Sequence, residues 1–116
     1  MSSRRLEIVQ GDDRRIFVPV RDQDGETVDI SGAQSIEAAV ARSLGGTAEV
    51  TKTLAGSDIV ITGSNDEFYF DLTAADTGGL SPAQYWLEAE IVTSGGLTYT
   101  VAQVPLTIKA QIITGA

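Results

Sequence analysis

The segment Asp66-Glu67-Phe68-Tyr69-Phe70-Asp71-Leu72 places the tightest constraint on how this chain can fold. Phe68, Phe70 and Leu72 share one parity, and Glu67, Tyr69 and Asp71 share the other. Side chains of a β-strand alternate between its two faces, so the run predicts a strand with one face buried and one wet. The same period of two recurs along the chain, and long helical periods do not. Leu6 and Ile8 alternate with Arg5 and Glu7; Ile16, Val18 and Val20 alternate with Phe17 and Pro19. Pro19 has no backbone donor, which assigns its run to a sheet edge or a bulge. Tyr85, Leu87, Ala89 and Ile91 alternate with Trp86, Glu88 and Glu90. After a Ser94-Gly95-Gly96 turn come Leu97, Tyr99 and Val101, then Val104, Leu106 and Ile108. Val50 and Leu54 mark a polar surface strand, and Ile59 and Ile61 a further one. Ile36, Ala38 and Val40 fit either a strand or a short helix, ended by Gly45-Gly46.

Turn chemistry punctuates these runs. Asp24-Gly25 is a strong hairpin signal. Thr73 as N-cap, Asp76 three residues on and Gly78-Gly79 beyond predict a single helical turn near 74–77. About seven to nine short antiparallel strands with so little helix predict an all-β sandwich or barrel. The 116 residues make one domain, 1–116, large enough to bury a core without metals or cross-links. The stretch Leu72–Ile91 selects the immunoglobulin-like sandwich. It resembles the corner at which a short acidic turn precedes a tyrosine whose hydroxyl bonds back to upstream backbone. Tyr85 would be that tyrosine, with Leu80 plugging the core; as a plain core aromatic, Tyr85 would be equally structural. Leu87 stands where antibody domains carry a cysteine.

The chain is poor in catalytic groups. It has no histidine and no cysteine, hence no imidazole acid–base group, no thiol nucleophile and none of the usual zinc ligands. Its two lysines, Lys52 and Lys109, lie in no Ser-x-x-Lys arrangement. The carboxylates mostly occupy turns and the polar parity of strands. Asp22-Gln23-Asp24-Gly25 with Asp29 fails as a calcium loop: counted from Asp22, glycine falls at position four and Ala33 at twelve. We therefore expect no enzyme, no cofactor and no small-molecule substrate.

Net charge is −8, which disfavours nucleic acid as a partner. No run nears the roughly 18 apolar residues of a membrane helix, and no apolar stretch follows the N-terminal arginines as in a secretory signal. Five of the eight basic residues, Arg4, Arg5, Arg14, Arg15 and Arg21, lie within the first 21 positions. Two readings stand for them: solvated guards of an edge strand, or a basic edge that meets an acidic partner, another copy included. Trp86, Tyr69 and Phe17 have outward parity. They are candidate contact residues, unless a bulge or a covering loop buries them.

Gly11-Asp12, Asp24-Gly25, Val28-Asp29-Ile30-Ser31-Gly32-Ala33, Leu72-Thr73-Ala74-Ala75-Asp76-Thr77, Leu80 and Gln84-Tyr85 follow one another in an order that resembles a phage pattern. It is similar to the immunoglobulin-like N-terminal domain of upper baseplate proteins of tailed phages, and to small prophage-encoded proteins. One departure is Ala83-Gln84, where the pattern has a glycine before the tyrosine. The resemblance implies a virion structural protein of the tail, baseplate, connector or capsid surface, assembled in the bacterial cytoplasm with other virion proteins or its own copies. The family's larger members continue into fibre-organising regions not seen in this sequence, which implies a free-standing component. A carbohydrate-binding or adhesion module, stacking sugars on Trp86 and Tyr69, is the alternative.

Overall fold

The computed structural model describes residues 5–112. Its elements in chain order are β1 (Leu6–Val9), β2 (Arg14–Pro19), β3 (Ser35–Ala41), β4 (Ala48–Thr53), β5 (Ile59–Ile61), β6 (Glu67–Leu72), α1 (Ala74–Gly78), β7 (Ala83–Val92) and β8 (Thr98–Lys109). A five-stranded sheet, β1-β8-β7-β3-β4, packs on a three-stranded one, β2-β6-β5. All neighbours are antiparallel except β1 and β8. This is the expected all-β, immunoglobulin-like sandwich.

Parity decides the core. Phe68, Phe70 and Leu72 are fully buried, with Ile16 and Ile59 opposite Phe70 and Val18 opposite Phe68. The large sheet contributes Ile36, Val40, Leu87, Ile91, Leu106 and Ile108 to the same cluster. Removing each such side chain from water stabilises the fold by about 1.5–3 kcal/mol. Ala38 and Ala89 lie directly opposite each other, so the large sheet offers its smallest pair to a layer that includes the two phenylalanines. This settles the ambiguity at 36–41: the segment lies between β4 and β7, and pairing on both sides overrides the weak propensity of its alanines. Pro19 sits on β2, an edge strand as expected.

Three details depart from the sequence reading, the first being that β1 pairs parallel with β8 where antiparallel strands were expected. The last two apolar runs form one strand, β8, broken by a bulge. The register jumps from Ala89↔Ala102 to Glu90↔Thr100, leaving Val101 as the extra residue. The helical turn ends at Gly79 in right-handed backbone (φ −83°), so no left-handed glycine cap is used. At Asp24-Gly25 the tight turn forms with Gly25 at φ +83°, closed by the Arg21↔Thr27 bridge. Its carboxylate brace is Asp22, whose Oδ1 accepts from the Asp24 and Glu26 amides at 2.9 and 3.0 Å.

The corner is built by side-chain hydrogen bonds. The Thr73 hydroxyl accepts from the Asp76 amide (3.1 Å), and Asp76 Oδ2 accepts from the Thr73 amide (2.9 Å), a complete capping box. The same oxygen accepts from Lys52 Nζ at 2.7 Å, tying β4 to α1. Tyr85 is buried, and its hydroxyl donates to Ser81 O at 2.8 Å, so it is both core aromatic and corner tyrosine despite Ala83-Gln84. Leu80 is buried beside it in the core cluster. The loop between β1 and β2 clamps this corner. Thr77 Oγ1, fully buried, donates to Asp12 O (2.8 Å) and accepts from the Gly11 amide (3.0 Å). Asp13 Oδ1 accepts from the Ala74 amide, and Gln10 Nε2 donates to Leu80 O. Gly11 has φ +90°, a left-handed conformation that favours glycine; a Cβ there would meet only the end of the Gln111 side chain, which can swing aside.

Candidate interaction surface

The outer face of the small sheet gathers residues far apart in sequence. In register, Phe17 lies opposite Tyr69, and Tyr69 opposite Val60, so one row crosses all three strands. The parity that buries Ile16, Val18, Phe68, Phe70 and Ile59 turns this row outward. Phe17 is 43% and Val60 42% exposed, with Tyr69 half-buried between them. The Phe17 and Tyr69 rings stack at 5.4 Å between centroids, tilted by 51°. Of the three, Val60 was not among the sequence candidates, although its parity between Ile59 and Ile61 was the available signal.

The neighbouring row holds an ion pair. Arg15 Nε and Nη2 donate to Asp71 Oδ1 and Oδ2 at 2.8 and 3.1 Å. The Arg15 guanidinium also lies 4.2 Å from the centre of the Tyr69 ring. Its hydrogen bonds hold the Asp71 carboxyl below the usual carboxylate range, and Asp71 in turn raises the arginine. Both side chains are about half exposed, so solvent screens the pair and it adds little to stability. An arginine and two aromatics held on a rigid sheet are residue types enriched at interface hot spots.

The other arginines do not converge. Arg14 Nη1 donates to Glu7 O, and Arg21 Nη1 to Gly25 O, each at 3.5 Å. Arg14 and Arg21 lie at opposite ends of the β2 run, about 23 Å apart at strand rise. Arg5 is exposed just before β1, and Arg4 lies outside the described residues. Trp86 projects from the outer face of the large sheet, half-buried between Ala41 and Pro105 on adjacent strands, with Glu88 and Glu90 further along its own. Trp86 and Tyr69 are thus on opposite outer faces and cannot form one stacking platform. Among the described residues, no group of three or more candidate metal-ligating side chains comes together. No helix there is long and apolar enough to cross a membrane.

The turn motifs are consumed by folding. Asp29 Oδ1 accepts from the Ser31 amide (2.9 Å) and hydroxyl (2.7 Å), which lowers its pKa and seats the buried Ile30. Thr73, Asp76, Leu80 and Tyr85 build the corner, and Gly11-Asp12 clamps it. No family model and no curated protein matches the chain. Among solved structures, it is similar to CopC from Methylosinus trichosporium OB3b, at 11% identity and TM-score 0.55, covering 97% of this chain and 91% of that one. A chain of the ICOS complex with ICOS-L and an anti-ICOS-L VNAR domain matches at 10% identity and TM-score 0.40, over 94% of this chain and 56% of its own. The likeness to CopC extends over nearly all of both chains, and at that identity it shows a shared fold.

Proposed function

We propose that this chain is a non-enzymatic structural component of a tailed-phage virion, acting by protein–protein contact through the Phe17–Tyr69–Val60 face. The exposed apolar row carries the assembly reading. Soluble sheets with one solvated face alternate apolar-in and polar-out, and this row breaks that rule across three strands at once. The virion reading is supported by the ordered turn motifs from Gly11 to Tyr85 and their resemblance to baseplate-type domains. Its partners would be other virion proteins or its own copies, met in the host cytoplasm.

Mass spectrometry of purified particles tests the proposal, comparing the wild-type chain with Phe17→Asp. Phe17 is partly covered and stacks on Tyr69, so the melting temperature of the variant is measured beside its recovery, and Val60→Asp, at the other end of the row, serves as a second variant. The expected result is wild-type protein in particles and at least tenfold less of each variant. A wild-type protein abundant in lysates yet absent from particles would sink the proposal.

A further inference from the structure

Strand β8 is covered along only part of its outer edge. β7 pairs with it from Thr98 to Ile108, whereas β1 covers only Leu106 to Lys109. Thr98–Pro105 therefore presents an edge that no described strand pairs, about 26 Å long at ordinary strand rise. The inward-facing residues record the missing cover. Ile108 and Leu106 are buried, Val104 and Ala102 are intermediate, and Tyr99, opposite the buried Ile91, is 51% exposed. A groove of about 520 Å³ opens there, lined by Val20, Val28, Ile91, Tyr99 and Val101, with Arg21 and Asp22 on its far wall.

The composition of this edge separates it from the others. Thr98-Tyr99-Thr100-Val101-Ala102-Gln103-Val104-Pro105 contains no charge, in a chain whose net charge is −8. Edge strands of soluble proteins are guarded by charge, proline, bulges or shortness. β2 has Arg14, Arg15 and Pro19, β4 has Glu49 and Lys52, β1 has Glu7, and β5 spans three residues. On β8 the Val101 bulge and Pro105 interrupt the ladder locally but leave β-prone Thr, Tyr and Val along the rest.

We propose that the Thr98–Pro105 edge pairs with the same edge of a second copy, antiparallel about a two-fold axis, joining two large sheets into one. A two-fold brings each residue near the axis against itself or a close neighbour, so a self-pairing edge cannot carry charge there. This edge meets that requirement, and those of β1, β2 and β4 do not. The partner's inward-facing Tyr99, Ala102 and Val104 would then cover the groove, and each copy would do this for the other. The pairing supplies the assembly reading with a partner, a second copy, but it rests on the open edge and not on a virion.

Sedimentation velocity on the full chain from about 5 to 500 μM tests it, together with two exposed double variants, Thr100→Lys/Gln103→Lys and Thr100→Glu/Gln103→Glu. The wild-type chain should dimerise as concentration rises. Each variant should stay monomeric at every concentration, and an equimolar mixture of the two should form heterodimers. Thr100 and Gln103 lie opposite Glu90 and Glu88 on β7, so the melting temperature of each variant is measured as well, and a mixture that stays monomeric although both variants are folded overturns the proposal. A wild-type monomer throughout, or a dimer unaffected by either variant, overturns the proposal. So does strong hydrogen-exchange protection of Thr98–Pro105 at 5 μM that deletion of residues 1–4 abolishes, since the chain's own N-terminus would then hold the edge. Particle mass spectrometry reads none of these results, so this inference and the virion reading can fail separately.

Discussion

Replacing Thr77 by valine keeps the shape of a fully buried side chain and deletes one hydroxyl. That hydroxyl is the partner of two backbone groups, the Gly11 amide at 3.0 Å and the Asp12 carbonyl at 2.8 Å. Each loses its partner in the variant, and an unsatisfied backbone group costs about 1–3 kcal/mol. The two groups are partly buried, so the low end of that range applies, and the expected loss is about 2 kcal/mol. Thr77→Ser provides the contrast: it keeps the hydroxyl and loses one methyl, at about 1 kcal/mol. In urea denaturation the valine variant should lower the midpoint by about 1–2 M with unchanged slope. For a domain of this size that corresponds to a melting temperature lower by roughly 8 °C. Hydrogen exchange should show the Gly11 amide losing protection before the core strands do. If valine proves as stable as serine or more so, the hydroxyl does not clamp the loop, and the structural account of Gly11-Asp12 fails.

Two further outcomes test the corner by other routes. Tyr85→Phe keeps the buried ring and removes the 2.8 Å bond to Ser81 O, so it should cost about 1 kcal/mol by urea denaturation; no loss would show the corner bond to be incidental. Burial alone would raise the Asp76 pKa, but the hydrogen bonds from Lys52 and Thr73 outweigh it and hold the carboxyl below its ordinary 3.8. The unfolded chain therefore takes up this proton first as pH falls, so the stabilisation is complete above about pH 4–5 and lost below. Asp76→Asn should cost about 1 kcal/mol at pH 7, from the weakened ion pair and cap. The gap in melting temperature between the two proteins should close as the pH falls below about 4, and a constant gap would refute this account.

How much of this was legible in the sequence follows from the range of each interaction. Alternation is local, so Phe68, Phe70, Leu72 and the Tyr85–Ile91 face could be assigned inward from neighbours alone, as could the capping box of Thr73 and Asp76. The strand at 36–41 could not be separated from a helix, because what makes it a strand is β4 and β7 on either side. The bulge at Val101 was hidden for a similar reason: it exists only as a mismatch of count against β7. Thr77 reads as one more polar residue in a short turn, and its two partners lie more than sixty positions upstream. At the candidate surface, outward parity picked out Phe17, Tyr69 and Trp86 separately. Only the register shows that the first two adjoin and the third faces the opposite way.

The turn motifs on which the phage resemblance rests and the features on which the proposed contacts rest occupy different residues. Gly11 needs its positive φ, Asp22, Asp29 and Asp76 spend their carboxylates on backbone amides, and Tyr85 spends its hydroxyl on Ser81. Such residues repeat wherever this sandwich is built, whatever it binds. Selection for a partner must act where folding leaves a choice, on outward parity and on edges. There the chain departs from the behaviour of a solitary soluble sandwich at two places, the Phe17–Tyr69–Val60 row and the uncharged Thr98–Pro105 edge. The core accounts for Val101, Ala102 and Val104, which pack against it, but not for the exposed Phe17 and Val60, the exposed Tyr99, or the lack of charge along the β8 edge. The other edges carry charge or are short, whereas β8 has a bulge and a proline but no charge, so this sequence is not careless of its edges in general. Two local exceptions in an otherwise guarded surface are better accounted for by contacts that cover them than by indifference to solubility.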